Sequence, residues 1–126
     1  MNPRFVTQKI HAMLDYPVAI SLMVMPLVLG LGHSHAMAFW LSFGTGVAAL
    51  ILTLLTDHET GVIRVLPYKL HLAVDFAVAV VFLVAPIALG FSGLDAWFYW
   101  ANAAAVLTVV GLQSPEQAPI KTAPAG

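Results

Sequence analysis

The sequence predicts an all-α polytopic membrane protein with four transmembrane helices, arranged as two tandem helical hairpins related as parallel repeats. Three observations carry this. Of the 126 residues, 60% are hydrophobic and 9% charged, whereas soluble domains are about a quarter charged; mean hydropathy is +0.91. Four apolar runs, at residues 16–31, 36–55, 70–91 and 96–112, reach or nearly reach the roughly 17 to 25 residues with which a helix crosses about 30 Å of hydrocarbon. The third observation is that the second half of the chain repeats the first.

Residues 9–40 laid without a gap over 69–100 agree at eleven of thirty-two positions: Lys9/Lys69, His11/His71, Asp15/Asp75, Val18/Val78, Ala19/Ala79, Val24/Val84, Pro26/Pro86, Leu29/Leu89, Gly30/Gly90, Ala36/Ala96 and Trp40/Trp100. An apolar bias supplies Val and Ala; it does not supply matched His, Asp, Pro, Gly and Trp. Each copy holds two spans, so both enter the bilayer in the same sense, related by an axis along the membrane normal.

After an N-terminal segment (1–8), the first repeat (9–56) opens with a span expected at about 9–31. Arg4 and Lys9 before an apolar run, with Ala36-Met37-Ala38 beyond it, also fit a signal peptide. Asp15 at the start of the run and the recurrence of the pattern inside the chain favour a retained helix. Near its far end Pro26 removes a backbone donor and Gly30 supplies a left-handed cap, so helix end and bend are expected there; Pro86 and Gly90 do the same in the second copy.

The next span, at about 36–55, opens beside Phe39-Trp40, and its counterpart, at about 96–112, opens in Trp97-Phe98-Tyr99-Trp100. Aromatics in these places fit an interfacial belt, anchored by Trp40, Trp97 and Trp100. Small residues follow, Gly44, Thr45, Gly46 and Ala48 or Ala101, Ala103, Ala104 and Ala105, and permit close helix packing. In the linker (57–68), Thr56 or Asp57 ends a helix and Gly61 marks a turn. Val62, Ile63, Val65 and Leu66 around Arg64 suit the membrane interface, and Pro67 suits the first turn of the helix at about 69–91. The second repeat closes at 112, and the Pro- and Ala-rich tail (113–126) is expected to be disordered.

All five basic residues, Arg4, Lys9, Arg64, Lys69 and Lys121, lie in the N-terminal segment, the linker or the tail or at the span residue that adjoins them, which places those regions and both termini in the cytoplasm. A net charge of -1 without a basic patch gives nucleic acid no footprint. The absence of cysteine excludes disulfides, thiolate metal sites and Cys nucleophiles.

The segments MPLVLGL (25–31) and APIALGF (85–91), the His-x-x-x-Asp before each copy's first span, and TDHETGVIRVLPYKLHLAVD (56–75) together resemble the SPW-repeat family of bacterial integral membrane proteins, over roughly residues 8–112. Both copies keep the Pro and Gly of that motif and lack its Ser and Trp. The resemblance implies a four-span protein of the bacterial inner membrane and does not point to any particular biochemical activity.

The residues that stand out chemically are His11, Asp15, His71 and Asp75. Residues four apart share a helix face, and ionisable groups within spans are costly enough to imply a purpose. Three purposes fit. The pairs tie helices together near the cytoplasmic face without a ligand. They bind a divalent metal through nitrogen and oxygen, or haem b with His11 and His71 as axial ligands. Or they pass protons or a small solute, although deeper in the bilayer only Ser21, Ser42, Thr45, Thr53, Asn102 and Thr108 offer polar groups. His33-Ser34-His35 reads as a solvated outer turn, His58 as interfacial, and the methionines as packing. With no phosphate loop, serine elbow or HExxH, no enzyme is expected. The expected function is a non-catalytic structural or accessory component whose partners are the bilayer and a second copy or other membrane-protein subunits.

Overall fold

The computed structural model describes residues 7–56 and 61–112, so the N-terminal segment through residue 6, Asp57, His58 and the tail from 113 fall outside the described residues. Four helices follow in order: α1 (Gln8–Val28), α2 (Met37–Leu55), α3 (Tyr68–Leu89) and α4 (Gly93–Gly111). Helix α1 packs on α2 and α3 on α4, with a smaller contact between α2 and α3. Three helical segments, Lys9–Val28, Met37–Leu55 and Tyr68–Leu89, are long and apolar enough to cross a membrane. In α4, Asp95, Tyr99 and Asn102 dilute the apolar run.

The surface is that of a bundle made for lipid. Leu27, Val28, Ile87 and Met13 lie outward, more than 60% exposed, while His11, His71, Ser42, Thr53 and Asp95 are buried. Lipid tails solvate the former at no cost, and the latter must find partners inside, because hydrocarbon offers none.

Pro26 and Pro86 lie in the last turn of α1 and α3, and the helices end where the Pro and Gly pairs were expected to end them. Two to three further residues stay helical, and the stop is made by backbone geometry. In α3, Gly90 takes φ 74° as the left-handed cap, and the Phe91 amide reaches back to the Pro86 carbonyl at 2.9 Å. In α1, Gly30 takes φ 65° and the Leu31 amide bonds the Pro26 carbonyl at 2.9 Å. Both copies make the six-to-one bond of a Schellman cap, and α1 adds its inner bond, from the Gly30 amide to the Leu27 carbonyl at 3.3 Å.

A proline within a helix frees the carbonyl four residues earlier. For Pro26 that carbonyl is Leu22, and Ser42 of α2 donates its hydroxyl to it at 2.8 Å. Near Pro86, the Trp100 indole of α4 donates to the Leu83 carbonyl at 3.2 Å. Each kink-prone turn is thus stitched to the second helix of its own hairpin.

Small residues set the hairpin spacing. Ala19, Ala38, Ala79 and Ala103 are fully buried. At Gly46 an added Cβ would stand 2.7 Å from Met23 Cγ and 2.8 Å from the Ala19 carbonyl oxygen, so α1 and α2 meet there backbone to backbone.

The aromatic run at the start of α4 divides. Trp40 and Trp97 are exposed, more than half of each surface open, and Trp100 is half-buried. Phe98 and Tyr99, expected in the belt, are buried instead. Tyr99 stacks against Phe82 with centroids 4.4 Å apart and donates its hydroxyl to the Ala38 carbonyl at 2.7 Å, a bond between the two hairpins. A helix period explains the split: residues 97 and 100 share the outer face, and 99 lies opposite.

The linker caps α2. The amides of Val62 and Ile63 donate to the Leu54 carbonyl at 2.8 and 2.9 Å, and those of Val65 and Leu66 to Leu55 at 3.0 and 2.9 Å, occupying acceptors that a helix end leaves open. Val62, Ile63 and Val65 stay exposed.

Gly46→Val is expected to cost about 1–3 kcal/mol in unfolding of the detergent-solubilised protein, the usual penalty for overpacking. Gly44→Val, where an added Cβ meets nothing within 4 Å, is expected to cost far less.

Candidate functional site

The site begins with two helix starts. The Thr7 hydroxyl accepts the Ile10 amide at 3.2 Å and caps α1, so that His11 and Asp15 follow one turn apart. Pro67, placed in the extended region as the N-cap of α3, fixes the same register for His71 and Asp75. The two helices bring all four side chains together, with one ligating atom from each lying within 4.8 Å of all the others.

The contacts form a closed ring. His11 Nε2 stands 3.2 Å from Asp15 Oδ1 and 2.9 Å from Asp75 Oδ2. His71 Nε2 stands 3.3 Å from Asp15 Oδ2 and 3.3 Å from Asp75 Oδ2. Asp15 thus gives one oxygen to each imidazole, while Asp75 presents one oxygen to both. The imidazoles meet at 89° with centroids 5.5 Å apart. Buried Tyr68 closes the ring from outside, edge-on to His11 and stacked with His71. The histidine side chains are 2–3% exposed and those of Asp15 and Asp75 10% and 21%.

A fifth residue fixes the chemistry. Thr56 donates its hydroxyl to the Leu52 carbonyl at 2.6 Å, so its lone pairs face His71 Nδ1 at 2.7 Å. His71 Nδ1 therefore carries hydrogen, and Nε2 is the nitrogen turned to the carboxylates. An imidazole lone pair 3.3 Å from two carboxylate oxygens is repelled unless a positive centre lies among them. A metal ion supplies one, and so does a proton on the ring.

The His–Asp distances of 2.9 to 3.3 Å are those of hydrogen bonds and use both oxygens of Asp15; one ligating atom from each residue lies within 4.8 Å of the others, so an ion with ligands at about 2.0 Å in a tetrahedron, roughly 3.3 Å apart, draws the four closer together. Two imidazoles and two carboxylates are the ligands that zinc and other divalent first-row metals accept, and the Thr56 bond to the outer nitrogen is the support that such histidines ordinarily have. The four side chains form a group able to hold a metal ion. Haem does not fit. A porphyrin must pass between its two axial imidazoles, and here the carboxylates of Asp15 and Asp75 occupy that gap.

No protein-family model, curated protein or solved structure matches the chain.

Four of the deeper polar groups each donate to a backbone carbonyl: Thr53 to Ala49, Asn102 to Phe98 and Thr108 to Ala104 within their own helices, and Ser42 to Leu22 across to α1.

At the opposite end of the bundle a second polar centre appears at Asp95, immediately before the expected 96–112 span. The Gly32 and Ser34 amides donate to it at 3.0 Å each, the Ser34 hydroxyl at 2.5 Å, and Ser34 Oγ accepts the Ser92 amide at 3.1 Å. The turn expected to be merely solvated is therefore clamped to α4. The sequence offered a signal, the Ser-x-x-Asp spacing of Ser92 and Asp95. Ser92 nevertheless makes no side-chain cap bond, because Asp95 serves the other hairpin. Thr56, read as a helix end, carried no sign of its contact with His71.

Burial pushes the Asp95 carboxyl up, but the Ser34 hydroxyl and the amides of Gly32, Ser34 and His35 outweigh it and hold the group below the usual carboxylate range. A depressed folded value means that the clamp is complete above the unfolded pKa of about 3.9 and is lost as pH falls through the folded value. Hydrogen exchange at the Gly32 and Ser34 amides is expected to show constant protection from pH 7 to 5 and declining protection below about pH 4; Asp95→Ala is expected to remove that protection at every pH.

Proposed function

We propose that this chain is a non-catalytic component of the bacterial inner membrane, in which a divalent metal ion held by His11, Asp15, His71 and Asp75 ties its two hairpins together. The observation that carries this is the closed ring of two imidazoles and two carboxylates, one ligating atom of each within 4.8 Å of the others, with Thr56 orienting His71. Four protein ligands leave no open position, which is the signature of a structural rather than a catalytic site.

The rest of the reading is of one piece with this. Four spans are supported by the duplication, which gives α4 the same place in its hairpin as α2. Kinship with the SPW-repeat family rests on the Pro and Gly turns and the repeated His-x-x-x-Asp. Cytoplasmic termini follow from the distribution of Lys and Arg, and assembly with a second copy or another subunit is supported by the smallness of the bundle.

Elemental analysis of protein purified without chelators is expected to give about one zinc or similar divalent ion per chain. His11→Ala and His71→Ala are expected to remove it while circular dichroism still reports helix. A metal-free wild-type protein of intact fold would overturn the metal reading. The same ring would then be a hydrogen-bonded tie with protons in place of the ion, and His71→Ala would still lower thermal stability.

The contact with Thr56 makes a separate expectation. Thr56→Val removes the acceptor for His71 Nδ1 and is expected to weaken metal affinity by about 10–100-fold, as loss of such supporting bonds does. A competition titration with a chromophoric chelator measures it; unchanged affinity would show that the bond orients nothing.

A further inference from the structure

Beside the cluster lies a cavity of about 220 Å³ to which all four helices contribute. Its lining falls at one end of every helix, in residues 11–18 of α1, 49–53 of α2, 71–75 of α3 and 102–110 of α4. That is the end at which α1 and α3 begin and α2 and α4 finish. From Asn102 to Val110 helix α4 rises about 12 Å, close to the roughly 15 Å of hydrocarbon in one leaflet. The space therefore runs along the helices for most of the depth of half a bilayer.

The wall sets the chemistry of the occupant. Each polar side chain that reaches it already has a partner inside the protein: His11, Asp15, His71 and Asp75 in the ring, Thr53 at the Ala49 carbonyl and Asn102 at the Phe98 carbonyl. The rest is aliphatic, chiefly Leu14 and Val18 of α1 and Ala105, Val106 and Val110 of α4. An alcohol, an amine or an acid would bring a polar group to a wall whose own polar groups are engaged, at a cost. A hydrocarbon chain meets no such cost, and it restores the dispersion contacts that a void denies its lining.

Two features name the source of that chain. Leu14 and Val18 are more than a third exposed, as are Ile10 and Met13 beside them, so the wall continues into the outward surface that lipid tails cover. Lys9 and Lys69, both exposed, stand in the first turns of α1 and α3, at the same end as the cavity, where the phosphates of that leaflet lie.

We propose that this cavity takes one acyl chain of a phospholipid, held between the hairpins against Leu14, Val18, Val106 and Val110, with the phosphate outside at the level of Lys9 and Lys69. The inference rests on the bilayer placement proposed above and is independent of the ion.

Full-length protein washed extensively in detergent and examined by native mass spectrometry is expected to keep a single phospholipid per chain, identified by its mass. Val106→Trp and Ala105→Phe, each checked for native helicity, are expected to lose it, and Ile87→Trp, on the outer surface, to keep it. In nanodiscs made with a phosphatidylglycerol that carries a diazirine midway along one chain, the wild-type protein is expected to give photo-adducts on Val106 and Val110. Equal retention in filled and unfilled proteins, adducts confined to outward residues such as Ile87, or a retained fatty acid, quinone or no lipid at all would overturn the proposal. Release of the wild-type protein from membranes by alkaline carbonate would instead overturn the bilayer placement, which tells the two failures apart.

Discussion

The fold depends on burying two carboxylates within a bundle surrounded by hydrocarbon. Asp15 and Asp75 bring two negative charges to a place where an unpaired one costs several kcal/mol after every relaxation. The two imidazoles beside them remove that cost only together with positive charge. One dication, with both rings neutral, makes the group neutral; so do two ring protons. In either case the charge balance requires residues from both hairpins, since α1 and α3 each supply one His and one Asp. Neither hairpin can satisfy its own pair as well alone, and so a polar cluster holds together two elements whose apolar surfaces lipid would solvate equally well apart.

Duplication explains both the symmetry and the departures from it. Matched positions built the ring: His11 with His71 and Asp15 with Asp75. Unmatched positions built everything polar that surrounds it. Ser42 holds the Leu22 carbonyl freed by Pro26, while Asn102, its counterpart sixty residues on, lines the cavity. Asp95 stands where the first copy has His35, and it clamps the first copy's turn. Thr56 meets Nδ1 of His71. The outer end is thus fastened by a carboxylate that accepts amides, the inner end by carboxylates that meet imidazoles, and the close α1–α2 approach at Gly46 spans the distance between them.

Much of this was legible in the sequence because periodicity and composition act locally. Apolar length marks a helix, and a pair four apart marks a face. The repeat even predicted that the two His/Asp pairs lie at one depth. What the sequence did not carry is distance across the bundle. Whether Asp75 reaches His11, or Tyr99 reaches Ala38, depends on how two hairpins meet, and that is set by side chains far apart in the chain. The prolines show the same limit in a local setting: the Pro and Gly pairs placed the helix ends, but nothing near Pro26 in the chain told that Ser42 of another helix takes up the Leu22 carbonyl. Tyr99 sits between residues suited to an interface, and a helical turn carries it inward.

The proposal stands or falls on a divalent ion held by His11, Asp15, His71 and Asp75. X-ray absorption at the metal edge, on protein purified without chelator and returned to lipid, tests it most directly. Four nitrogen or oxygen neighbours at about 2.0–2.2 Å are expected, with the outer-shell scattering of two imidazoles. A spectrum without a metal edge, or one of a hydrated ion with six oxygens and no imidazole, would contradict it.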